Sequence, residues 1–160
     1  MPEEGISLEK LSAKYVMDAG QMRRYLEKTA AESDVPFQTP ERIFNSRLAH
    51  ELGFWAEVQG RGDAFHMAAF RAYFVDGLNI ARMPVLAELA ESAGLSGETA
   101  IQVLERGDFA PVVDADWAFV SEKGVKVAPT FMINDQKLPN AQPYEMLERF
   151  IVKNGACKRT

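Results

Sequence analysis

GVKVAPTFMIN, residues Gly124 to Asn134, is the stretch that decides the fold. Gly124 has the character of a helix stop. A tight turn follows, and Thr130 to Ile133 reads as a buried strand. Pro129 stands at the mouth of that strand, where a ladder donor is normally wanted and where proline has none to give. The turn Asn134-Asp135-Gln136-Lys137 and a second short run at Lys137 and Leu138 complete a hairpin signal. A lone two-stranded hairpin is barely stable in water. This one must lie on helices or pair with strands that the sequence does not contain.

Outward from the hairpin the chain is helical in period. Ser7 caps a predicted helix from Leu8 to about Tyr15, and Asp18 caps another from Ala19 to about Ser33. Val35 to Ile43, with two prolines, reads as a linker or a very short extended piece. Asn45 is the next expected cap. Leu48, Leu52, Trp55 and Ala56 then recur at helical spacing to about Gln59. Asp63 is the expected cap of a helix ending at Gly77. Pro84 suits the first turn of the next, which buries Leu86, Leu89, Ala90 and Ala93 and closes at Gly94. Ser96 or Gly97 opens a helix with Ile101 and Leu104 inward. Ala110 to Lys123 carries Val113, Trp117 and Val120, and Pro143 starts a last helix with Met146, Leu147, Phe150 and Ile151 apolar.

With 160 residues, 47% hydrophobic and 26% charged, the chain suits one ordinary globular domain. A net charge of −5 argues against a nucleic-acid partner, which calls for a basic face. No apolar run approaches the roughly 18–20 residues of a membrane span. The acidic start MPEEGISLEK is unlike a secretory leader, so a cytoplasmic protein without membrane attachment is expected. The single cysteine, Cys157, excludes an internal disulfide and a cysteine-based zinc site.

Other chemistry-bearing residues have plainer readings. Cys157 follows the last helix and reads as a free surface thiol, with intermolecular disulfide formation as the alternative. His50 and His66 sit beside apolar neighbours without further ligands, so they read as core-edge histidines, and no metal is expected. Asp114 and Asp116 are two apart on a helix and do not face each other. Phe65, Phe70, Tyr73 and Phe74 form a stripe that reads as core, the alternative being a groove for an aromatic ligand. Arg61-Gly62-Asp63 reads as a turn before a helix. There is no glycine-rich phosphate loop and no nucleophile elbow.

The order of helix, proline-led strand, hairpin and helix resembles the C-terminal half of a thioredoxin fold. GVKVAPTFMIN with AQPYEMLERFI, FNSRLAHELGFWAEVQG, and AFRAYFVDGLNIARMPVLAELAESAGL resemble, in order, segments of the DsbA family and its FrnE-like branch. The resemblance implies a mostly α chain with a small β hairpin. The fold is then an incomplete thioredoxin-like α/β fold with an inserted helical domain. Residues 1–34 would be helices leading into the insertion, 35–107 the inserted helical domain, and 108–160 the C-terminal half of the thioredoxin-like domain. Family members begin with a strand, a helix opening on C-x-x-C and another strand. The sequence from Met1 to Thr160 holds no such unit, and no serine in the position that related glutathione-using isomerases use. NAQPYEML also lacks the glycine-asparagine/aspartate-arginine pattern of those isomerases.

The resemblance implies a protein thiol–disulfide oxidoreductase or isomerase acting on peptide or protein thiols without a cofactor. Such an enzyme needs a low-pKa cysteine and a second to resolve the mixed disulfide. This sequence therefore reads as a truncated member, inactive alone, with no catalytic residue of its own. The resemblance also implies that Pro129 is cis and that Ala128, Pro129 and Thr130 flank a peptide-binding loop. The alternative is a non-catalytic interaction module of the same ancestry. An unpaired hairpin invites pairing, so a homodimer or larger homo-oligomer is expected, with the hairpin near its interface.

Overall fold

The computed structural model describes residues 5–12 and 18–157. It falls into two compact units, residues 1–113 and 114–160. In the first, a small antiparallel pair joins β1 (Ile6–Ser7) to β2 (Arg42–Ile43), with Ile6 opposite Ile43. The sequence reading missed this pair, because two residues are too short to show a period. Gly5 makes it feasible. Its φ is +69°, and a Cβ there would stand 2.6 Å from the Ile43 carbonyl oxygen.

Helix α1 (Leu8–Ser12) starts where Ser7 predicts, with the Lys10 amide 3.4 Å from Ser7 Oγ. Its expected end at Tyr15 lies outside the described residues. In α2 (Ala19–Glu32), the Gln21 amide donates to Asp18 Oδ2 at 3.1 Å, the expected cap. Thr39, buried behind α2, donates its hydroxyl to Glu27 Oε1 at 3.1 Å.

The core belongs to α3 (Arg47–Val58), α4 (Gly62–Phe74), α5 (Met83–Ser92) and α6 (Gly97–Arg106). Leu52, Phe65 and Leu86 are completely buried at its centre. Burying each stabilises the fold by about 1.5–3 kcal/mol relative to exposure. Of the residues at helical spacing in α3, Leu52, Trp55 and Ala56 are buried and Leu48 is half-buried; in α5 Leu86, Leu89 and Ala90 are buried, as is Ala93 just after it. In α6, Ala100, Val103 and Leu104 turn inward, whereas Ile101 is only half-buried.

Three starts and stops differ from expectation. Ser46, not Asn45, immediately precedes α3, although the Arg47 amide donates to Asn45 Oδ1 at 3.0 Å. Helix α4 begins at Gly62, one residue before Asp63, because the chain reverses within Gln59 to Arg61. The Arg61 amide donates to the Ala56 carbonyl at 2.8 Å, and a Cβ on Gly62 would meet Glu57 Cγ at 2.6 Å. Asp63 then sits in the first turn, where the helix dipole favours its charge. The same helix stops at Phe74, and Gly77, at φ +68°, serves the following turn.

Glu51 is a charged residue inside this apolar assembly. It accepts from Arg47 Nε at 3.0 Å, one helical turn back, while Arg47 Nη2 reaches the Ala110 carbonyl at 3.3 Å. The pairing gives the buried carboxylate the partner that burial demands.

The division between the units falls within α7 (Ala110–Glu122). The second unit continues from α7 through β3 (Thr130–Ile133) and β4 (Gln136–Pro139) to α8 (Tyr144–Lys153). The strands pair antiparallel from Thr130 opposite Pro139 to Ile133 opposite Gln136. Asn134 and Asp135 form the two-residue loop with φ values of 48° and 63°. Two consecutive positive φ angles give a type I′ turn, whose twist matches that of a hairpin. The strand expected to be buried is not: Phe131 is 39% exposed, and none of the described residues from 114 onward is buried. The described strands supply no third neighbour to cover it.

Candidate functional site

Gly124, at φ +63°, ends the helix, and the Val125 amide donates back to the Val120 carbonyl at 3.2 Å. The chain then runs exposed through Lys126 to Pro129. The Ala128–Pro129 peptide is cis. Thr130 Oγ1 donates to the Val127 carbonyl at 2.6 Å, which closes the loop on itself. Ala128 and Pro129 are exposed and Thr130 is half-buried, so the three predicted loop residues stand together at the head of β3.

Two polar ties hold the hairpin to its helices. Lys123 Nζ lies 2.8 Å from Asp135 Oδ1, and the hydrogen bond and charge of Lys123 hold the Asp135 carboxyl below its ordinary range, with Lys137 adding a little. In the same turn, Asn134 Nδ2 donates to the Asn154 carbonyl at 3.3 Å. The apolar residues of this unit have no such closure. Trp117 is 46% exposed, Tyr144 73% and Ile151 41%. Of the apolar residues that the predicted helix carries, Val113 is buried, whereas Trp117 and Val120 are exposed.

Cys157 is exposed beyond α8, as expected of a surface thiol. Asp114 and Asp116 are exposed on α7. Among the described residues no three acids, histidines or cysteines gather as a metal site would require, and no helix is long and apolar enough to cross a membrane.

In the first unit the predicted aromatic stripe divides. Phe65 is core. Phe70, Tyr73 and Phe74 instead border a cavity of about 300 Å3 together with Phe44. The chain's two histidines, His50 on α3 and His66 on α4, border the same cavity. The sequence reading treated them separately, because sixteen positions along the chain carry no sign that two helices will bring them together. His66 Nε2 lies 3.5 Å from Glu57 Oε1. Burial pushes the Tyr73 phenol up from its ordinary value.

These features define a thioredoxin-like unit with a proline-led strand, and a helical unit with its own core. The chain belongs to the family of the DSBA-like thioredoxin domain, whose model matches residues 2–152. It is similar to a solved structure of a probable DsbA oxidoreductase from Streptomyces coelicolor. The TM-score is 0.81 and the identity 26%, over 96% of this chain and 69% of that one. It is also 28% identical over 126 residues to the uncharacterized protein YwbO of Bacillus subtilis strain 168. That match covers 78% of this chain and spans 62% of the length of that relative. The fold is thus thiol–disulfide-oxidoreductase-like, mostly helical with small antiparallel strand pairs.

Proposed function

We propose that these residues form the helical and C-terminal portion of a FrnE-like, DsbA-type thiol–disulfide oxidoreductase or isomerase acting on peptide or protein thiols. In this reading Ala128, Pro129 and Thr130 offer backbone groups to an extended substrate, in the manner of strand addition. A strand–helix–strand segment bearing C-x-x-C covers the apolar side of the second unit and supplies the thiolate. Cys157 does not replace it, since a disulfide exchange cycle needs a resolving partner. Alone, the chain is inactive. A cytoplasmic location belongs to the same proposal.

The observation that carries this reading is the second unit's lack of any buried residue in its described part, beneath a hairpin whose two strands have only each other. Trp117, Tyr144 and Ile151 stand exposed without a layer to close over them. Amide exchange tests it. Residues 130–139 should exchange fast in this chain and become protected when a DsbA-type strand–helix–strand unit is joined ahead of Met1. Equal exchange in both proteins would reject the proposed seat. Without that segment, the same face favours a second copy of this chain. Sedimentation at micromolar concentration should then give a dimer or larger homo-oligomer, and a monomer would remove the oligomer from the account.

A further inference from the structure

We propose that the cavity between α3, α4 and the segment at Ile43 and Phe44 is a binding site for a small, flat, uncharged molecule of two fused rings. It rests on the first unit alone and stands or falls apart from the redox reading.

Size comes first. An apolar cavity of about 150 Å3 takes one benzene ring. The space here is about 300 Å3, which is the lower end of ordinary ligand sites and room for two fused rings. The walls fix the shape of the occupant. Tyr73 and Phe74 meet edge to face at 4.6 Å, Phe44 stands edge-on to Tyr73 at 6.3 Å, and Phe70 stacks on Phe74 at 6.3 Å. Four rings at one wall suit a planar guest, which meets aromatic rings in offset-stacked or edge-to-face contact. Phe70 is 58% exposed, a cost in water that an occupant would relieve.

Charge decides the class. Among the described residues no lysine or arginine borders the cavity, so a carboxylate would lose its hydration without a lysine or arginine there to replace it. The polar groups at the wall are the Ser46 hydroxyl, the Tyr73 phenol and the imidazoles of His50 and His66. The Ser46 and Tyr73 hydroxyls each donate and accept, which suits a single hydroxyl or carbonyl on the ligand. Gly53 assists, because a Cβ there would stand 2.7 Å from His66 Cε1. The ring can therefore lie against α3 at the border of the cavity.

The chain's having only two histidines makes the test direct. The two imidazole Cε1–H signals are assigned by elimination in His50→Gln and followed while 2-naphthol is added at neutral pH. Both signals should shift saturably, with the ring current of a guest beside them, and 2-naphthoate should bind at least tenfold more weakly. Ala69→Phe places a ring in the space and should abolish the 2-naphthol shifts while thermal unfolding shows the variant folded. Phe70→Ala, at a half-exposed position, should weaken binding several-fold and provides a second variant should Ala69→Phe fail to fold. Absence of saturable shifts, tighter binding of 2-naphthoate, or binding unchanged in both variants would overturn the proposal.

Discussion

At the scale of single residues, the structure turns on close approaches that composition does not reveal. Gly53 lies inside α3, where alanine is favoured by about 1 kcal/mol. The three nearest atoms to a Cβ there all belong to the His66 ring, the closest at 2.7 Å. Gly53→Ala should therefore swing His66 away from Glu57 and shift its imidazole signal, with unfolding free energy within about 1 kcal/mol of the parent. A loss of several kcal/mol would mean that the ring cannot move. Asp135 offers a pH test. Its carboxyl is held below the ordinary value by Lys123. The contribution is present above that ordinary value, near about 4, and is lost as the pH falls through the folded one. Asp135→Asn, which suits the same positive φ, should lower the denaturation midpoint slightly near about pH 7 and match the parent near about pH 2. Added salt should shrink the difference, since both groups lie at the surface. Neither close approach was legible in the sequence, whereas Pro129 at the head of a strand was.

At the scale of elements, the sequence was most readable where period and cap agree. Ser96 precedes α6 and accepts the Thr99 amide at 3.2 Å, and Gly107 closes the helix at φ +66°. Ser96→Ala should cost about 1 kcal/mol, and Leu52→Ala, at the centre of the core, about 2–5 kcal/mol. Chemical denaturation of both variants checks the ratio. An equal cost would mean that Leu52 is not the packing centre its burial indicates. Reading failed where the determinant is long-range. The start of α4 was displaced by the tight reversal within Gln59 to Arg61, and the β1–β2 pair joins residues 35 and 37 positions apart. His50 and His66 were weighed as isolated residues, and only the packing of α3 on α4 brings them to one cavity. The aromatic stripe was seen, but its division between core and cavity depends on which side of α4 faces its neighbours.

At the scale of the whole molecule, the two units pose opposite problems. The first closes a core around Leu52, Phe65 and Leu86. The second keeps the helix, proline-led hairpin and helix of a DSBA-like thioredoxin domain with its apolar residues at the surface. That the hairpin has no further strand beside it among the described residues was already legible, and a two-stranded hairpin is marginal in water. Which segment covers it was not, because on the proposed reading the deciding contacts come from a segment other than these residues. The most direct measurement is insulin disulfide reduction by three proteins: this chain, its Cys157→Ser variant, and the chain joined to a DsbA-type unit bearing C-x-x-C. The account predicts no catalysis by the first two and turnover by the third that exceeds the isolated unit by at least tenfold. Catalysis by the chain alone, or a joined protein no faster than the isolated unit, would contradict it.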